Sequence, residues 1–251
     1  MAGVEGRVAL ITGGGRGIGR ATAELLATRG AKVMCVARSR QELADVGLDY
    51  SVADLGRPEG CAHAVAETEQ RLGPIDVLVC NHGIGSAHER VVWDQQPDVW
   101  SETMRVNLDG PFHLSRLVMR GMVVRKFGRI VYTSSTAGLI AEPAGSAYNS
   151  SKHGLLGLMR SVSVDGGAYG ITANAVLPGW VRTEMAERSA RQEAEDRGVT
   201  TDQVWEERAA LYPPGRVATT REVAEVIAFL ASEESSGVSG EAIRVALGSV
   251  W

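Results

Sequence analysis

A glycine cluster between a short apolar run and an amphipathic segment most constrains what this chain can fold into. Its spacing is Gly13-x-x-x-Gly17-x-Gly19, and it follows Val8–Ile11, a run typical of a strand buried on both faces. Beyond the cluster, apolar residues recur at helical spacing until Gly30. A strand, a glycine turn and a helix in this order direct backbone N–H groups and the positive end of a helix dipole at one point. The sequence therefore predicts a phosphate site in the turn, and a dinucleotide is the first hypothesis for its ligand.

The composition restricts the class of protein. The chain has 251 residues, of which 44% are hydrophobic and 22% charged, and its net charge is -4. These values are typical of a soluble globular protein without a membrane span, and the negative charge argues against nucleic acid as a partner. Cys35, Cys61 and Cys80 lack metal-ligand spacing, so we expect buried free thiols and no metal site. Because the first strand begins within a few residues of the N-terminus, we expect no signal peptide and a cytoplasmic location.

Strand-like and helix-like segments alternate along the chain. The strand-like runs span residues 8–11, 31–37, 50–55, 75–80, 129–133, 172–177 and 242–246. Such alternation predicts a three-layer, doubly wound α/β (Rossmann) fold, in which a mostly parallel, seven-stranded sheet has helices on both faces. No linker or repeat divides the sequence, so we expect a single domain over residues 1–251. The polar, charge-rich stretch at about 183–214 is expected to form a helical lid.

Two arginines bear on which dinucleotide binds. The second strand ends at Ala37, and Arg38 follows where an acid would otherwise bind the adenosine ribose. A guanidinium suits a 2′-phosphate because it donates two parallel hydrogen bonds, and Arg16 in the glycine turn supplies a second positive charge. The sequence thus favours NADP(H) over NAD(H); the alternative is that both arginines are solvated surface residues. Asp54, at the end of the third strand, is a candidate to accept a hydrogen bond from the adenine amino group or to cap the next helix.

Three further stretches carry polar residues that bear on the chemistry. Asn107 lies within one long helical pattern from about 97 to 124, although asparagine is a poor helix-interior residue. Ser135 follows the strand that ends at Thr133. Tyr148 and Lys152 are four residues apart, which places both side chains on one face of a helix. Each residue alone has a structural explanation, as a kink, a cap or a packing residue, but chance does not readily explain the set in this order.

Together, the glycine cluster, Asn107, Ser135 and the Tyr148-x-x-x-Lys152 pair resemble the short-chain dehydrogenase/reductase family. The resemblance covers nearly the whole chain and includes three shorter motifs: Asn81-x-Gly83, the run Asn107–Phe112 and the pair Pro178-Gly179. The family's turn usually contains Asn-Asn-Ala-Gly, from which Cys80 and His82 depart here. We expect His82 either near the cofactor, where it would titrate around pH 6.5, or facing solvent.

The resemblance implies a ketone and alcohol oxidoreductase in which Tyr148 is the general acid or base. A free tyrosine has a pKa of about 10 and is poorly poised near neutrality, whereas a lysine cation one helical turn away favours the phenolate. Lys152 would therefore lower the pKa of Tyr148, and it would also hydrogen-bond the nicotinamide ribose. Ser135 would donate a hydrogen bond to the substrate oxygen. Asn107 would hold a water in a proton relay that reaches Lys152.

The resemblance also extends the set of candidate binding residues. Thr183 and the backbone of Val181 would contact the carboxamide or phosphate of the cofactor. The full set expected at the cofactor is Gly13, Arg16, Gly17, Ile18, Gly19, Arg38, Asp54, Leu55, Asn81, Gly83, Tyr148, Lys152, Pro178, Gly179, Val181 and Thr183. The substrate pocket is expected to be lined by Ala137, Leu139, Trp180 and Met185.

The predicted activity is the NADP(H)-dependent interconversion of a ketone and a secondary alcohol on a small-molecule substrate. Two alternatives remain, namely an NAD(H)-dependent alcohol dehydrogenase of the same family and a catalytically silent dinucleotide-binding regulator. The long lid favours a substrate larger than a short-chain alcohol, such as a cyclic or acyl-thioester ketone. The resemblance further implies a homotetramer, or a homodimer, with the long helices around Asn107 and Tyr148 at one interface and the tail Val250–Trp251 at another.

Overall fold

The computed structural model describes residues 3–85 and 90–249, and its centre is a sheet of seven parallel strands. The tail Val250–Trp251, expected at a subunit contact, lies outside the described residues. The strands lie in the order β3-β2-β1-β4-β5-β6-β7, which is doubly wound about β1 and β4. Their bounds are β1 Val8–Thr12, β2 Lys32–Ala37, β3 Asp49–Val52, β4 Val77–Cys80, β5 Gly128–Thr133, β6 Ile171–Pro178 and β7 Ala242–Val245. The predicted α/β fold class is confirmed.

Helices cover both faces of the sheet, as the alternation predicts. They are α1 Gly17–Thr28, α2 Arg40–Ala44, α3 Pro58–Leu72, α4 Pro97–Met104, α5 Gly110–Arg125, α6 Ser146–Gly167, α7 Glu184–Arg197, α8 Thr201–Ala210 and α9 Thr220–Leu230. The core on one face is built from α3, α5 and α6, and the core on the other from α1, α2 and α9. Burial of these apolar faces, worth about 25 cal/mol per Å², holds the three layers together. Among the described residues, no helix is long and apolar enough to cross a bilayer.

The three cysteines lie inside this core. Cys35, Cys61 and Cys80 are all buried and free. Burial raises the pKa of the Cys35 thiol to about 12. These thiols therefore act as small apolar side chains, and the prediction of buried free thiols is confirmed.

The long helical pattern around Asn107 consists of two helices joined by a wider turn. The helix α4 ends at Met104, residues Arg105–Asp109 form one π-helical turn, and α5 begins at Gly110. Such turns are rare in proteins overall, and those that occur are often found at functional sites. The predicted single helix has nearly the right extent, but hydrophobic periodicity does not reveal the wider turn.

The third strand is shorter than its sequence suggests. It ends at Val52 rather than at Leu55, because the chain turns at Asp54, whose carboxylate accepts a hydrogen bond from the Gly56 N–H at 3.0 Å. Leu55 itself is buried in the core that α3 and α5 share.

Residues 183–214 contain a helical hairpin formed by α7 and α8. Its small core packs alanines of α7 against Val204 and Trp205 of α8. The Arg208 guanidinium lies 3.6 Å from the centre of the Trp180 ring and 5.0 Å from that of Trp205. Because Trp180 follows directly on β6, this cation–π stack ties the hairpin to the sheet.

Candidate active site

The strands β1 and β4 are hydrogen-bonded neighbours at the point where the strand order reverses. In open α/β sheets, ligands bind outside the carboxyl ends of the strands at this place. The turns that leave these ends carry the glycine cluster after β1, Asn81 after β4, Ser135 after β5 and Gly179 after β6. The fold therefore gathers residues that are far apart in the sequence at one edge of the sheet.

The glycine turn has a shape that side chains do not permit. Gly13 and Gly17 have φ angles of +64° and +54°, in the left-handed region that favours glycine. A Cβ atom on Gly19 would overlap the carbonyl oxygen of Gly13. The backbone of the turn is thus bare, and a ligand can approach it closely.

The start of α1 is open to an anion. The helix begins at Gly17, no side chain among the described residues caps it, and its first turn contains no acidic residue. The side chain of Ile18 packs against the core beneath the turn. Because the first N–H groups of a helix have no partner within the helix, they favour a bound phosphate. The residues present therefore fit the pyrophosphate of a dinucleotide.

Thr12 and Asn81 join the glycine turn to β4. The Thr12 hydroxyl donates to the carbonyl oxygen of Val79 at 3.0 Å and accepts from the Asn81 N–H at 2.9 Å. The Asn81 side-chain amide donates in turn to the carbonyl oxygens of Thr12 at 3.2 Å and Gly13 at 3.4 Å. Asn81 is thus a positioning residue for the turn.

His82 is partly buried, with its ring against Thr12. Its Nδ1 lies 2.8 Å from the Thr12 hydroxyl oxygen, and its Nε2 is buried without a partner among the described residues. Burial, and then the charge of Lys152, lowers the pKa of His82 to about 3. Titration near pH 6.5 does not agree with this lowered pKa, and the ring nitrogens do not face solvent; a place near the cofactor stays a prediction.

Asn107 bridges the π-helical turn and the loop after β4. Its side chain accepts a hydrogen bond from the Ile84 N–H at 2.8 Å and donates to the Ile84 carbonyl oxygen at 3.0 Å. The same amide nitrogen lies 3.2 Å from the Ser151 hydroxyl oxygen on α6. These bonds explain why a buried asparagine is tolerated inside a helical segment.

Tyr148 and Lys152 share one face of α6, as their spacing predicts. The Lys152 ammonium lies 5.5 Å from the centre of the Tyr148 ring and donates to the Thr133 carbonyl oxygen at 2.9 Å. Burial lowers the pKa of Lys152 to about 8. A Cβ atom on Gly83 would stand 3.2 Å from Asn107 Oδ1 and 3.7 Å from Lys152 Nζ, so glycine keeps these groups accessible to each other.

Ser135 follows β5 and caps the short 3-10 turn Thr136–Gly138. Its hydroxyl oxygen accepts a hydrogen bond from the Ala137 N–H at 3.1 Å. Because this bond uses only a lone pair, the hydroxyl retains its proton for another acceptor. The strand-to-loop cap and a hydrogen bond to a substrate oxygen are therefore compatible roles.

Arg16 and Arg38 are the two cations expected at the adenosine end of the dinucleotide. Arg38 is exposed after β2. Arg16 Nη1 lies 3.1 Å from a carboxylate oxygen of Glu42 and 2.9 Å from one of Glu184. Arg16 is therefore held by two acids, one on α2 and one on α7, and is not a freely solvated surface arginine.

The Asp54 carboxylate forms an ion pair with Arg105. One of its oxygens lies 3.4 Å from Arg105 Nη1, in the π-helical turn. Burial raises the pKa of Asp54, but the hydrogen bond from Gly56 and the charge of Arg105 outweigh this effect and hold the pKa below its usual value. The expected capping role is wrong in detail, because the carboxylate binds Gly56 N–H in the turn and no side-chain bond caps α3 at Arg57.

The segment after β6 joins the helical hairpin to the glycine turn. The Trp180 N–H donates to the Tyr212 hydroxyl at 2.6 Å, and a Cβ atom on Gly179 would overlap that hydroxyl. Pro178 is the last residue of β6, and Val181 is buried and forms an isolated parallel bridge with Ala218.

Thr183 completes this connection. Its side chain caps α7 by accepting from the Ala186 N–H at 3.3 Å. A Cβ atom on Gly17 would lie 3.3 Å from the Thr183 methyl carbon. The start of α7 is thus directly beside the start of α1.

Only some of the residues predicted to line the substrate pocket are exposed. Leu139 and Met185 are 43% and 36% exposed, and the Met185 sulfur would lie 3.3 Å from a Cβ atom on Gly85. Ala137, in contrast, has no exposed surface, so its expected place in the pocket lining is wrong for this conformation. One face of the Trp180 ring is covered by Arg208 and the ring also meets Trp205 edge-on, so only part of Trp180 is exposed.

Local sequence patterns do not predict the contacts of two residues in this region, Tyr212 and Glu42. Tyr212 lies beyond α8 and is recognised only through its bond to Trp180. Glu42 stands three residues after Ser39, a spacing typical of a capping box, and its N–H does donate to the Ser39 hydroxyl at 3.3 Å. Its carboxylate nevertheless binds Arg16, which no local pattern indicates.

Comparisons with known proteins agree with this geometry. A family model described as enoyl-(acyl carrier protein) reductase matches residues 13–249. The chain is 35% identical to 3-oxoacyl-(acyl-carrier-protein) reductase FabG of Vibrio cholerae, over 96% of both chains. It is 34% identical to acetoacetyl-CoA reductase of Shinella zoogloeoides, over 94% of this chain and 95% of that one.

Solved structures give the same picture. Levodione reductase has a TM-score of 0.93 at 32% identity, with 97% of each chain covered. An actinorhodin polyketide ketoreductase solved with NADPH has a TM-score of 0.89 at 31% identity, with 96% of each chain covered.

Fold, site and relatives together define an oxidoreductase that acts on a CH–OH group with a nicotinamide dinucleotide. Within that class, the chain belongs to the short-chain dehydrogenase/reductase family. The enzyme therefore interconverts a ketone and an alcohol on a small-molecule substrate, and the family prediction is confirmed.

Proposed function

We propose that Tyr148 is the general acid and base of this enzyme and that NADP(H) is its preferred cofactor. The observation that carries the proposal is the buried Lys152 ammonium, 5.5 Å from the Tyr148 ring and beside Gly83 at the carboxyl edge of the sheet. Ligand chemistry in this fold takes place at that edge.

Tyr148 moves the proton. A ketone that is being reduced develops negative charge on its oxygen, and the phenol donates a proton to it; in alcohol oxidation the phenolate accepts that proton. The Lys152 ammonium favours the phenolate, because its charge acts through a medium of low dielectric constant. Lys152 also hydrogen-bonds the nicotinamide ribose in this proposal.

Ser135 and Asn107 complete the proposed catalytic set. The Ser135 hydroxyl donates to the substrate oxygen and stabilises the charge that develops there. Asn107 fixes the loop at Ile84, close to Lys152, and we assign it a water that relays protons to Lys152.

The proposed cofactor contacts follow the edge of the sheet. When bound, the cofactor supplies or accepts the hydride. The glycine turn and the start of α1 hold its pyrophosphate, Asp54 accepts from the adenine amino group, and Val181 and Thr183 lie at its nicotinamide end. Asn81 keeps the turn in shape through its bonds to Thr12 and Gly13.

Arg16 and Arg38 support NADP(H), because both are cations near the adenosine end of the site. An NAD(H)-dependent enzyme of the same family is the second candidate. It is favoured by the two carboxylates, of Glu42 and Glu184, that already contact Arg16. Measurement of both dissociation constants decides between the two.

We further propose that the chain is one domain whose segment at about 183–214 acts as a lid over the substrate. Met185 of α7 lies over Gly85, so the hairpin stands beside the loop that leads to Asn107. A carbonyl group on an acyl thioester or a ring is the proposed substrate class, in keeping with the acetoacetyl-CoA and levodione reductases that this chain resembles.

We also propose a homotetramer, or a homodimer, located in the cytoplasm. A groove between α5 and α6 is lined by apolar and charged side chains, and Phe112 at its edge is 46% exposed. An exposed aromatic side chain beside a partly apolar groove supports an interaction surface there. The three free cysteines fit a reducing compartment. A monomer in sedimentation or light-scattering measurements contradicts the assembly.

The function is tested with a panel of ketones and alcohols, each assayed with NADPH and NADH through the absorbance of the reduced nicotinamide. The Tyr148→Phe variant keeps the ring and removes the proton. We expect its kcat to fall by about 10² to 10⁴, with a much smaller change in the dissociation constant of the cofactor. Undiminished turnover in the variant contradicts the role of Tyr148, and a wild-type protein that binds dinucleotide without any turnover is the silent regulator.

A further inference from the structure

The guanidinium of Arg16 is shared by two carboxylates that reach it from different elements. The Nη1 atom lies 3.1 Å from Glu42 Oε1 on α2 and 2.9 Å from Glu184 Oε2 on α7. All three side chains are partly exposed. A negative ligand group that binds Arg16 therefore arrives beside existing negative charge.

Glu42 is the more firmly fixed of the two acids. A Cβ atom on Gly15 would lie 3.0 Å from Glu42 Cβ, so α2 packs directly on the glycine turn. The Ser39 hydroxyl, which caps α2, accepts from the Glu42 N–H at 3.3 Å. These contacts hold the backbone of Glu42 against the glycine turn.

We propose that Glu42 is a specificity-determining residue that opposes the 2′-phosphate of NADP(H) at Arg16 while it tolerates the 2′-hydroxyl of NAD(H). This inference rests on the proposed function, in which Arg16 meets the adenosine end of the dinucleotide. It gives a role to an acid that no motif assigns.

In this proposal the two dinucleotides differ at the group that would bind Arg16 beside Glu42. A phosphate monoester carries a charge of about −1.5 to −2, whereas a ribose hydroxyl is neutral and can donate a hydrogen bond to a carboxylate. A phosphate that bound Arg16 opposite Glu42 would stand about two hydrogen-bond lengths, roughly 6 Å, from its carboxylate, and their repulsion would weaken binding by roughly tenfold at low salt and roughly threefold at physiological ionic strength. Removal of the Glu42 charge therefore strengthens NADP(H) binding selectively.

The test compares dissociation constants for NADP⁺ and NAD⁺ in the full-length protein, with 2′,5′-ADP and 5′-ADP as probes of the adenosine end. The variant is Glu42→Gln, which keeps an oxygen that accepts from Arg16, and Glu42→Ala removes both charge and bulk. The matched control is Glu225→Gln, which removes the same charge from an ion pair with Arg29, beyond the opposite end of α1.

We expect both Glu42 variants to raise the preference for NADP⁺ over NAD⁺, and for 2′,5′-ADP over 5′-ADP, by roughly tenfold at low salt and roughly threefold near 0.15 M salt. The Glu225→Gln control is expected to leave both ratios unchanged. Unchanged ratios in the Glu42 variants, with both dinucleotides still bound, overturn the inference alone. An equal rise in the control also overturns it, since the effect is then one of net charge. If the wild-type protein binds neither dinucleotide, the proposed function fails and this inference fails with it.

Discussion

Asn107 and the backbone of Ile84 form a reciprocal pair of hydrogen bonds, one accepted by the side chain at 2.8 Å and one donated by it at 3.0 Å. This pair fastens the loop after β4 to the π-helical turn. Since Gly83 precedes Ile84 and stands next to Lys152, the bonds also fix the opening beside the lysine. The side chain of Asn107 thus shapes the site through the backbone that it holds.

The first prediction concerns Asn107→Ala. The change leaves the N–H and carbonyl of Ile84 without their partner, which costs about 1 to 3 kcal/mol for each buried group left unsatisfied. We expect kcat to fall by roughly tenfold or more, together with a loss of stability measured by urea unfolding. The loop beside Lys152 then no longer has a single position.

Asn174 supplies the control for this variant. Its side chain makes an equivalent pair of backbone bonds, to the Val238 carbonyl at 2.7 Å and from the Glu241 N–H at 3.1 Å, at a place away from Tyr148. Asn174→Ala is expected to lose similar stability and to keep the wild-type kcat. Equal losses of kcat in both variants contradict a specific role for Asn107.

The second prediction concerns Lys152→Met. The substitution removes the cation that favours the Tyr148 phenolate and keeps much of the buried apolar length. We expect kcat to fall by about 10² to 10⁴, and the pH at which alcohol oxidation reaches half its maximum to move upward. The pH profile of kcat/KM measures this shift. Lys32→Met, at the exposed start of β2, is the control and keeps the wild-type profile. A low kcat with an unmoved profile contradicts the electrostatic role.

Much of the fold was open to prediction because it depends on local pattern. Strands such as Val77–Cys80 are short apolar runs, and helices such as α9 have one apolar face, so each signals its type within a few residues. The Tyr148 and Lys152 pair was equally accessible, since four residues make one turn of α6.

The features that the sequence did not predict depend on contacts between elements that are far apart in the sequence. The π-helical turn at Arg105–Asp109 leaves the apolar periodicity nearly intact, so the pattern still suggests one helix. The His82 ring is partly buried because it lies against Thr12 and Gly110, which come from two other parts of the chain, and no neighbour in the sequence indicates this. The partners of Arg16 come from α2 and α7, which the sequence separates widely.

The third prediction concerns His82 and acid stability. In the unfolded chain the imidazole takes up a proton as the pH falls through about 6.5. In the folded protein the pKa of His82 is about 3. Between these values the unfolded state binds more protons, so this residue lowers the free energy of unfolding by about 1.4 kcal/mol for each pH unit of acidification.

His82→Ala removes this contribution. We expect the variant to lose about 2 kcal/mol less stability than the wild-type protein between pH 7 and pH 5, as measured by urea unfolding at each pH. If wild-type and His82→Ala protein respond identically to acid, the ring is not held neutral beneath the glycine turn.

The fourth prediction contrasts two glycines that lie in helices. A Cβ atom on Gly19, in α1, would overlap the carbonyl oxygen of Gly13, whereas one on Gly157, in α6, would meet nothing within 4 Å. Gly19→Ala therefore distorts the turn, and we expect dinucleotide affinity to fall by at least tenfold, with a lower free energy of unfolding. Gly157→Ala is expected to stabilise the protein by about 0.5 to 1 kcal/mol, since alanine is the better helix former, and to leave affinity unchanged. Isothermal titration with NADP⁺ and NAD⁺ and thermal unfolding measure the two effects. Wild-type affinity in Gly19→Ala means that the close approach of α1 to the turn does not shape the dinucleotide site.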